Sequence, residues 1–187
     1  MHTHNFVTYE EFGRRFFDVA VTEDRVAAAF AEIAGGEFEM GPMAQGPAGL
    51  AKVSAKVQIQ QPIVRRNTGE TLTFSIRIPL VIQLVVDLRV DKQKFKVDGD
   101  IALRATARAA EPLLLVIDVA KPRPSDIAVH VTSKSGLRGE IVRIIGGVDT
   151  EIRRFVAAYV ADEIDSPASQ QAKVIDVAEA VASAWDV

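Results

Sequence analysis

The stretch Leu72-Thr73-Phe74-Ser75-Ile76-Arg77-Ile78-Pro79-Leu80-Val81-Ile82-Gln83-Leu84-Val85-Val86-Asp87-Leu88-Arg89-Val90 decides the fold of this chain. Every second residue from Leu72 to Val90 is apolar, and a period of two is that of a β-strand with one face turned to a core. With 48% hydrophobic residues overall, ten such positions in a row have a chance of roughly 0.0006 for a given start, so the register is under selection. At a rise of about 3.3 Å per residue the run would span about 60 Å, more than an ordinary strand. Pro79 has no N–H to give to a ladder, so a kink, bulge or edge position is expected there.

Working outward, Asp91-Lys92-Gln93-Lys94 turns the chain, and Phe95, Val97, Gly99, Ile101, Leu103, Ala105, Ala107 and Ala109 make a second long inward row. The two runs read as a hairpin. Upstream, Ala51, Val53, Ala55, Val57 and Ile59 alternate with polar residues, and Asn67-Thr68-Gly69 supplies a turn. Downstream, Leu113 to Val119 is apolar on both faces except at Asp118, Lys121-Pro122-Arg123-Pro124 breaks the chain, and Ile127, Val129 and Val131 alternate once more. The inward rows taper from large (Leu72, Phe74, Ile76) to small (Ala105, Ala107, Ala109). That taper either leaves a cleft beneath a covering helix or is filled by large helix residues such as Phe155 and Tyr159.

Helical periodicity brackets the strands. Thr8-Tyr9-Glu10-Glu11 has the form of a capping box, followed by Phe12, Phe16, Val19 and Ala20 on one face; Thr22 starts a second helix through Val26, Phe30 and Ile33, ended by Gly35-Gly36. Gly41-Pro42 and Gly46-Pro47-Ala48-Gly49 mark a loop. After Ser135-Gly136, Ile141, Ile145, Val148, Ile152, Phe155, Tyr159 and Val160 fall on one stripe of a long helix, with a kink or break expected at Gly146-Gly147. Ser166-Pro167 stops or redirects the chain, Lys173 to Val177 is strand-like, and Ala178 to Trp185 is a short helix. The expectation is one α+β domain over 1–187: an N-terminal helical pair (1–36), a long antiparallel sheet (50–133), a long amphipathic helix (138–165), and a short strand with a terminal helix (172–187).

The composition is that of a folded globular chain, with 25% charged residues. The absence of cysteine removes disulfides and thiolate chemistry and accords with a reducing compartment. No basic segment followed by an apolar run opens the sequence, and Gln83, Asp87 and Asp118 break the apolar stretches, so a cytoplasmic protein without a membrane span is expected. The formal charge of −3 hides a basic middle: residues 1–50 carry −5, 51–138 carry +7 and 139–187 carry −5. The outward Lys52, Lys56, Lys92, Lys94, Lys96, Arg104 and Arg108 either complement the acidic helices or attract an anionic membrane surface. With few aromatics among these bases and an acidic total, nucleic acid is not expected as a partner.

Chemistry-bearing motifs are sparse. His2 and His4 have a chelating spacing without a third ligand, so no metal is expected. His130 falls on the wet side of its strand, and Asp98-Gly99-Asp100 reads as a solvated strand with a bulge at the glycine. Asp118 has apolar neighbours; desolvated it would have a raised pKa and could serve a site, whereas at a rim it would pair with a basic residue. The glycine pairs lack phosphate-loop spacing. No catalytic residue and no cofactor is assigned.

The order of two helices, long alternating strands (Leu72 to Val90, Phe95 to Ala109), a long helix and a short strand resembles the tubular lipid-binding (TULIP-like) fold over roughly residues 50–177. The chain is also similar, in segments such as Ile101-Ala102-Leu103-Arg104-Ala105-Thr106-Ala107-Arg108, to an uncharacterised bacterial family, with actinobacteria as the expected source. The resemblance implies a curved sheet that wraps a long helix with an acyl chain between them. Lipid-binding members of that fold usually carry a signal peptide or a membrane anchor, and neither is expected from this sequence. The helix-grip fold is the rival, although its long helix normally ends the domain. The expected function is non-enzymatic binding of an apolar small molecule or lipid by Leu72, Phe74, Ile76, Ile78, Leu103, Ala105 and Ala107 on the sheet and Ile145, Ile152, Phe155 and Tyr159 on the helix. Alternatives are a scaffold that acts through homo-oligomerisation and a helix-grip enzyme that uses Asp118 or His130.

Overall fold

A computed structural model describes residues 4–30, 33–67, 69–130 and 139–185. It is an α+β structure in which one antiparallel sheet curls into a half-barrel, accompanied by five helices. The strands are β1 (Glu37–Gln45), β2 (Ala51–Ile59), β3 (Ile63–Asn67), β4 (Thr73–Asp87), β5 (Lys92–Ala110), β6 (Leu114–Val119), β7 (Ile127–His130) and β8 (Val174–Asp176); the helices are α1 (Tyr9–Ala20), α2 (Glu23–Ala28), α3 (Gly139–Asp165), α4 (Pro167–Ala172) and α5 (Val177–Trp185).

The decisive stretch forms the middle of the sheet. β4 and β5 pair in unbroken register from Thr73↔Thr106 to Asp87↔Lys92. The strand ends at Asp87 rather than Val90; the turn is Leu88 to Asp91, where the Leu88 N–H donates to the Asp91 carbonyl and Arg89 takes a positive φ of 69°. Six of the twelve largest fully buried side chains of the described residues, Phe74, Ile76, Ile78, Leu80, Ile82 and Leu84, belong to β4. Each contributes about 1.5–3 kcal/mol by leaving water.

Strand order is β1-β2-β4-β5-β6-β8, with β3 continuing along β4 where β2 stops and β7 lying along β5 beyond β6. Each flank of the central hairpin is therefore an interrupted strand. Ile59 sits opposite Leu80 and Ile63 opposite Arg77, so three residues, Gln60 to Pro62, span the width of two. The extra residue is a bulge that switches the inward side from odd numbers (Val57, Ile59) to even ones (Val64, Arg66). Its position explains Pro79. The Gln60 N–H donates to the Pro79 carbonyl at 2.9 Å, and a residue of an antiparallel strand turns its nitrogen to the same neighbour as its carbonyl. The missing N–H of Pro79 thus faces the bulge, and the irregularity expected in β4 falls on its partner instead.

On the other flank, Val119 pairs with Ala105 and Ile127 with Ile101, so residues 120–126 leave the sheet while β5 advances by three residues. Gly99 is no bulge: it stays in register with both Leu80 and Val129. A Cβ at Gly99 would lie 2.7 Å from the Ala128 carbonyl oxygen, so the glycine admits the close approach of β7.

Three further expectations are corrected. The loop expected before residue 50 contains β1, whose Gly41-Pro42 segment carries a register shift between Met40 and Met43; the bulge hides its alternation and blunts an exposed edge. α3 runs through Gly146-Gly147 without a break. The inward side chains of α3 are Val148, Ile152, Val156, Ala157, Val160 and Ile164, whereas Phe155 is 44% exposed beneath the Arg154 guanidinium. Residues 131–133, the expected end of the sheet, and the side chain of Ile145 lie outside the described residues.

α3 packs against β1, β2 and β7, and its last turn is closed by Lys173, whose buried Nζ donates to the Ile164 carbonyl at 2.7 Å. Burial, against the opposing pull of Asp165 and Asp118, holds this ammonium below the ordinary lysine pKa. The Ile117 N–H donates to the Lys173 carbonyl, and β8 pairs with β6, so the C-terminal segment completes the sheet.

Two glycines test these assignments with opposite signs. Gly99→Ala must displace backbone and is expected to cost about 1–3 kcal/mol, a fall in Tm of several degrees at this chain length. Gly146→Ala has open space around its Cβ inside a helix and is expected to stabilise by up to about 1 kcal/mol. Thermal and urea unfolding of both variants check the two directions.

Candidate functional site

The inward row proposed to grip a ligand is largely core. Phe74, Ile76, Ile78, Leu103 and Ala105 are buried in one cluster with Ile152, Val156 and Val160. Tyr159 is partly buried; it stacks on Phe38 of β1, with ring centroids 4.6 Å apart. Burial, and secondarily Glu163, raises the pKa of its phenol. Phe155 lies outside this arrangement.

Two expected residues, Leu72 and Ala107, also border an opening. The cleft holds about 940 Å³ at the small-residue end of the sheet and is lined by Leu72, Ala107 and Ala109 on the sheet side and by Tyr9, Gly13 and Phe17 of α1. Its rim is polar, with Glu10, Arg14, Asp18, Arg66, Asn67 and Glu70. The taper toward alanine therefore ends at a cleft, but the helix over it is α1 and not α3. A smaller cleft of about 390 Å³ lies at the opposite end, among Gln45, Leu50, Ala51, Leu88, Arg143 and Ile144.

α1 is capped as its sequence specifies: the Glu11 N–H donates to the Thr8 hydroxyl at 3.1 Å. None of its residues is buried. Phe16, Phe17 and Ala20 touch the core from outside, while Tyr9, Phe12 and Val19 stay exposed. Its charged tether is Arg66 of β3, which donates to the Asp18 carbonyl at 3.1 Å and pairs with the Asp18 carboxylate. The Arg66 N–H also donates to Glu23 of α2 at 2.7 Å.

The candidate catalytic groups stand apart from both clefts. Asp118 is exposed and pairs with Arg108 at 3.2 Å. His130 is exposed on the outer face, with its Nε2 3.2 Å from Asp100. His2 lies outside the described residues, and among these no group of three His, Cys, Asp or Glu is placed to hold a metal ion. Likewise, no helix among the described residues is long and apolar enough to cross a membrane.

The outer face of the sheet divides by type of cation. Toward β1, Lys56 pairs with Glu37 at 2.5 Å and Lys92 with Asp87 at 3.3 Å; the bond from Lys56, then that from Gln58, holds the Glu37 carboxyl below its usual pKa. Toward β7, the bases are arginines, and Arg65, Arg77 and Arg104 make no ion pair among the described residues. Of these three, the sequence pattern singled out Arg104; the other two needed the register of β3 and β4.

The weak seating of α1 has a measurable consequence. Removing the tether with Arg66→Ala is expected to raise amide exchange in α1 about fivefold, for a loss of about 1 kcal/mol, while the amides of β4 keep their protection; hydrogen exchange read by mass spectrometry separates the two segments. Comparison of the chain with protein-family models finds no match, and comparison with curated protein sequences finds none.

Proposed function

We propose that this protein is a non-enzymatic binder of an apolar or lipid-like ligand, held at the alanine end of the curled sheet beneath α1. The observation that carries this reading is the cleft of about 940 Å³ bounded by Leu72, Ala107, Ala109 and Phe17. Its size suits a small-molecule site. Its floor is apolar, its rim charged, and its roof is a helix with no buried residue, so an amphiphile could enter without disturbing the core behind Phe74 and Ala105. The ligand would lie under α1 and not along α3, which among the described residues contributes none to the cleft.

Enzymatic use of Asp118 or His130 receives no support from their exposed positions. Self-association has one favourable observation: Phe6, Tyr9, Phe12 and Val19 expose apolar surface on and beside α1. In this second reading the same helix face would meet a second copy, and light scattering at high concentration distinguishes the two, since a strict monomer removes it.

The binding reading is tested by filling the cleft. Ala109 is exposed, so Ala109→Trp is expected to leave the fold intact and to weaken binding of a fluorescent 18-carbon fatty acid at least about tenfold. Native mass spectrometry of gently purified protein gives the independent measurement. Absence of a co-purifying lipid together with unchanged fatty-acid binding in the variant would overturn the proposal.

A further inference from the structure

The outer face of the sheet carries a further concavity, of about 780 Å³, on the side opposite the core. Its base is built by register. Ser75 of β4 has Arg65 of β3 on one side and Arg104 of β5 on the other. One step along the same face, Arg77 lies between Ile63 and Ala102. Strands about 4.8 Å apart therefore bring three guanidinium stems around two small residues, Ser75 and Ala102. Lys121 and Arg123, from the excursion of residues 120–126, add to the wall.

The carboxylates in this concavity are already engaged. Asp126 accepts from the Arg123 N–H at 2.8 Å and Asp100 faces His130 at 3.2 Å. Lys121 pairs with Asp165 of α3. That leaves Arg65, Arg77 and Arg104 as neighbouring like charges without an acidic partner among the described residues, a local concentration of positive charge that draws anions to the concavity. At the far end of the same face, Lys56 and Lys92 do meet carboxylates, Glu37 and Asp87, while Lys94 and Lys96 make no ion pair among the described residues and so serve as a charge-matched comparison.

We infer that this concavity binds a phosphate oxyanion, with Arg65, Arg77 and Arg104 as its ligands around the small Ser75, whose hydroxyl is held by the Asn67 amide. Arginine forks match phosphate oxygens in pairs, and three of them suit a group of two or more negative charges. The site is independent of the apolar cleft, which lies on the opposite face of the sheet. The phosphate could belong to a soluble phosphorylated compound or to a lipid headgroup, and the two sources are separable by experiment.

Inorganic pyrophosphate is the probe, with binding followed by calorimetry and by the rise in Tm that a native-state ligand produces. Saturable binding is expected, weakened at least about tenfold in Arg77→Gln/Arg104→Gln and less than about twofold in the control Lys94→Gln/Lys96→Gln. Both arginines are exposed, so the double variant should keep or slightly raise the Tm of the unliganded protein. Phosphatidylcholine vesicles with and without phosphatidate give the second arm: retention on phosphatidate that pyrophosphate displaces assigns a headgroup, and pyrophosphate binding without retention assigns a soluble compound. The inference is overturned if neither probe binds, or if the arginine and lysine variants lose binding equally, which would mean a diffuse field. Retention that survives the arginine substitutions, or displacement by a single-stranded oligonucleotide more effective than pyrophosphate, overturns it as well.

Discussion

The ladder between β4 and β5 is the interaction on which the rest of the molecule depends. It is the one pairing that runs the full height of the sheet, from Thr73↔Thr106 to Asp87↔Lys92, and it presents the row from Phe74 to Leu84 that is the densest part of the core. A slip of one residue would turn that row to solvent and the arginines inward, so the same register that makes the core also sorts the two faces. Every other strand is shorter and lies against one member of this pair or against a strand that does.

Both flanks of the ladder are broken at about the same height, by the bulge at Gln60 to Pro62 and by the excursion of residues 120–126. These breaks give the outer face relief where a regular sheet would offer a smooth surface, and the arginine concavity lies between them. The inner face gains its opening differently, by loss of side-chain volume toward Ala107 and Ala109 and by a roof, α1, that rests on the sheet without sinking into it. An apolar recess and a basic one thus open on opposite faces of a single layer of backbone, offset along the strands.

Much of the architecture was legible because β4 from Phe74 to Val86 and β5 from Val97 to Ala107 bury one face and turn the other toward water, which imposes a strict period of two. β1 was not legible, because Gly41-Pro42 shifts its register and the inward side passes from Phe38 and Met40 to Met43. Pro79 was read as a local fault, yet its missing donor is absorbed by the neighbouring strand through Gln60. In α3 the stripe was set one residue out of phase at Phe155, since the helix buries Val148, Ile152, Val156, Val160 and Ile164 at every fourth position. The alanine taper marks the end of the sheet where a cleft opens, but amphipathic patterning does not say which helix docks there. The net basic charge of the middle segment was plain, whereas the meeting of Arg65, Arg77 and Arg104 depends on a register across three strands that no local pattern reports.

The strand order β1-β2-β4-β5-β6-β8 has a consequence for how the chain reaches this state. Apart from the continuations β3 and β7, each new strand lies beside the last one laid down, so the sheet grows outward in the order of synthesis with no strand inserted between two others. Closure at β8 is different: it requires the 27-residue helix α3 to cross the trough first and deliver Lys173 to the end of that helix. Vectorial assembly would therefore leave a half-built trough with its apolar side open until the last fifth of the chain emerges, and that nascent interval is when the protein is most prone to aggregate.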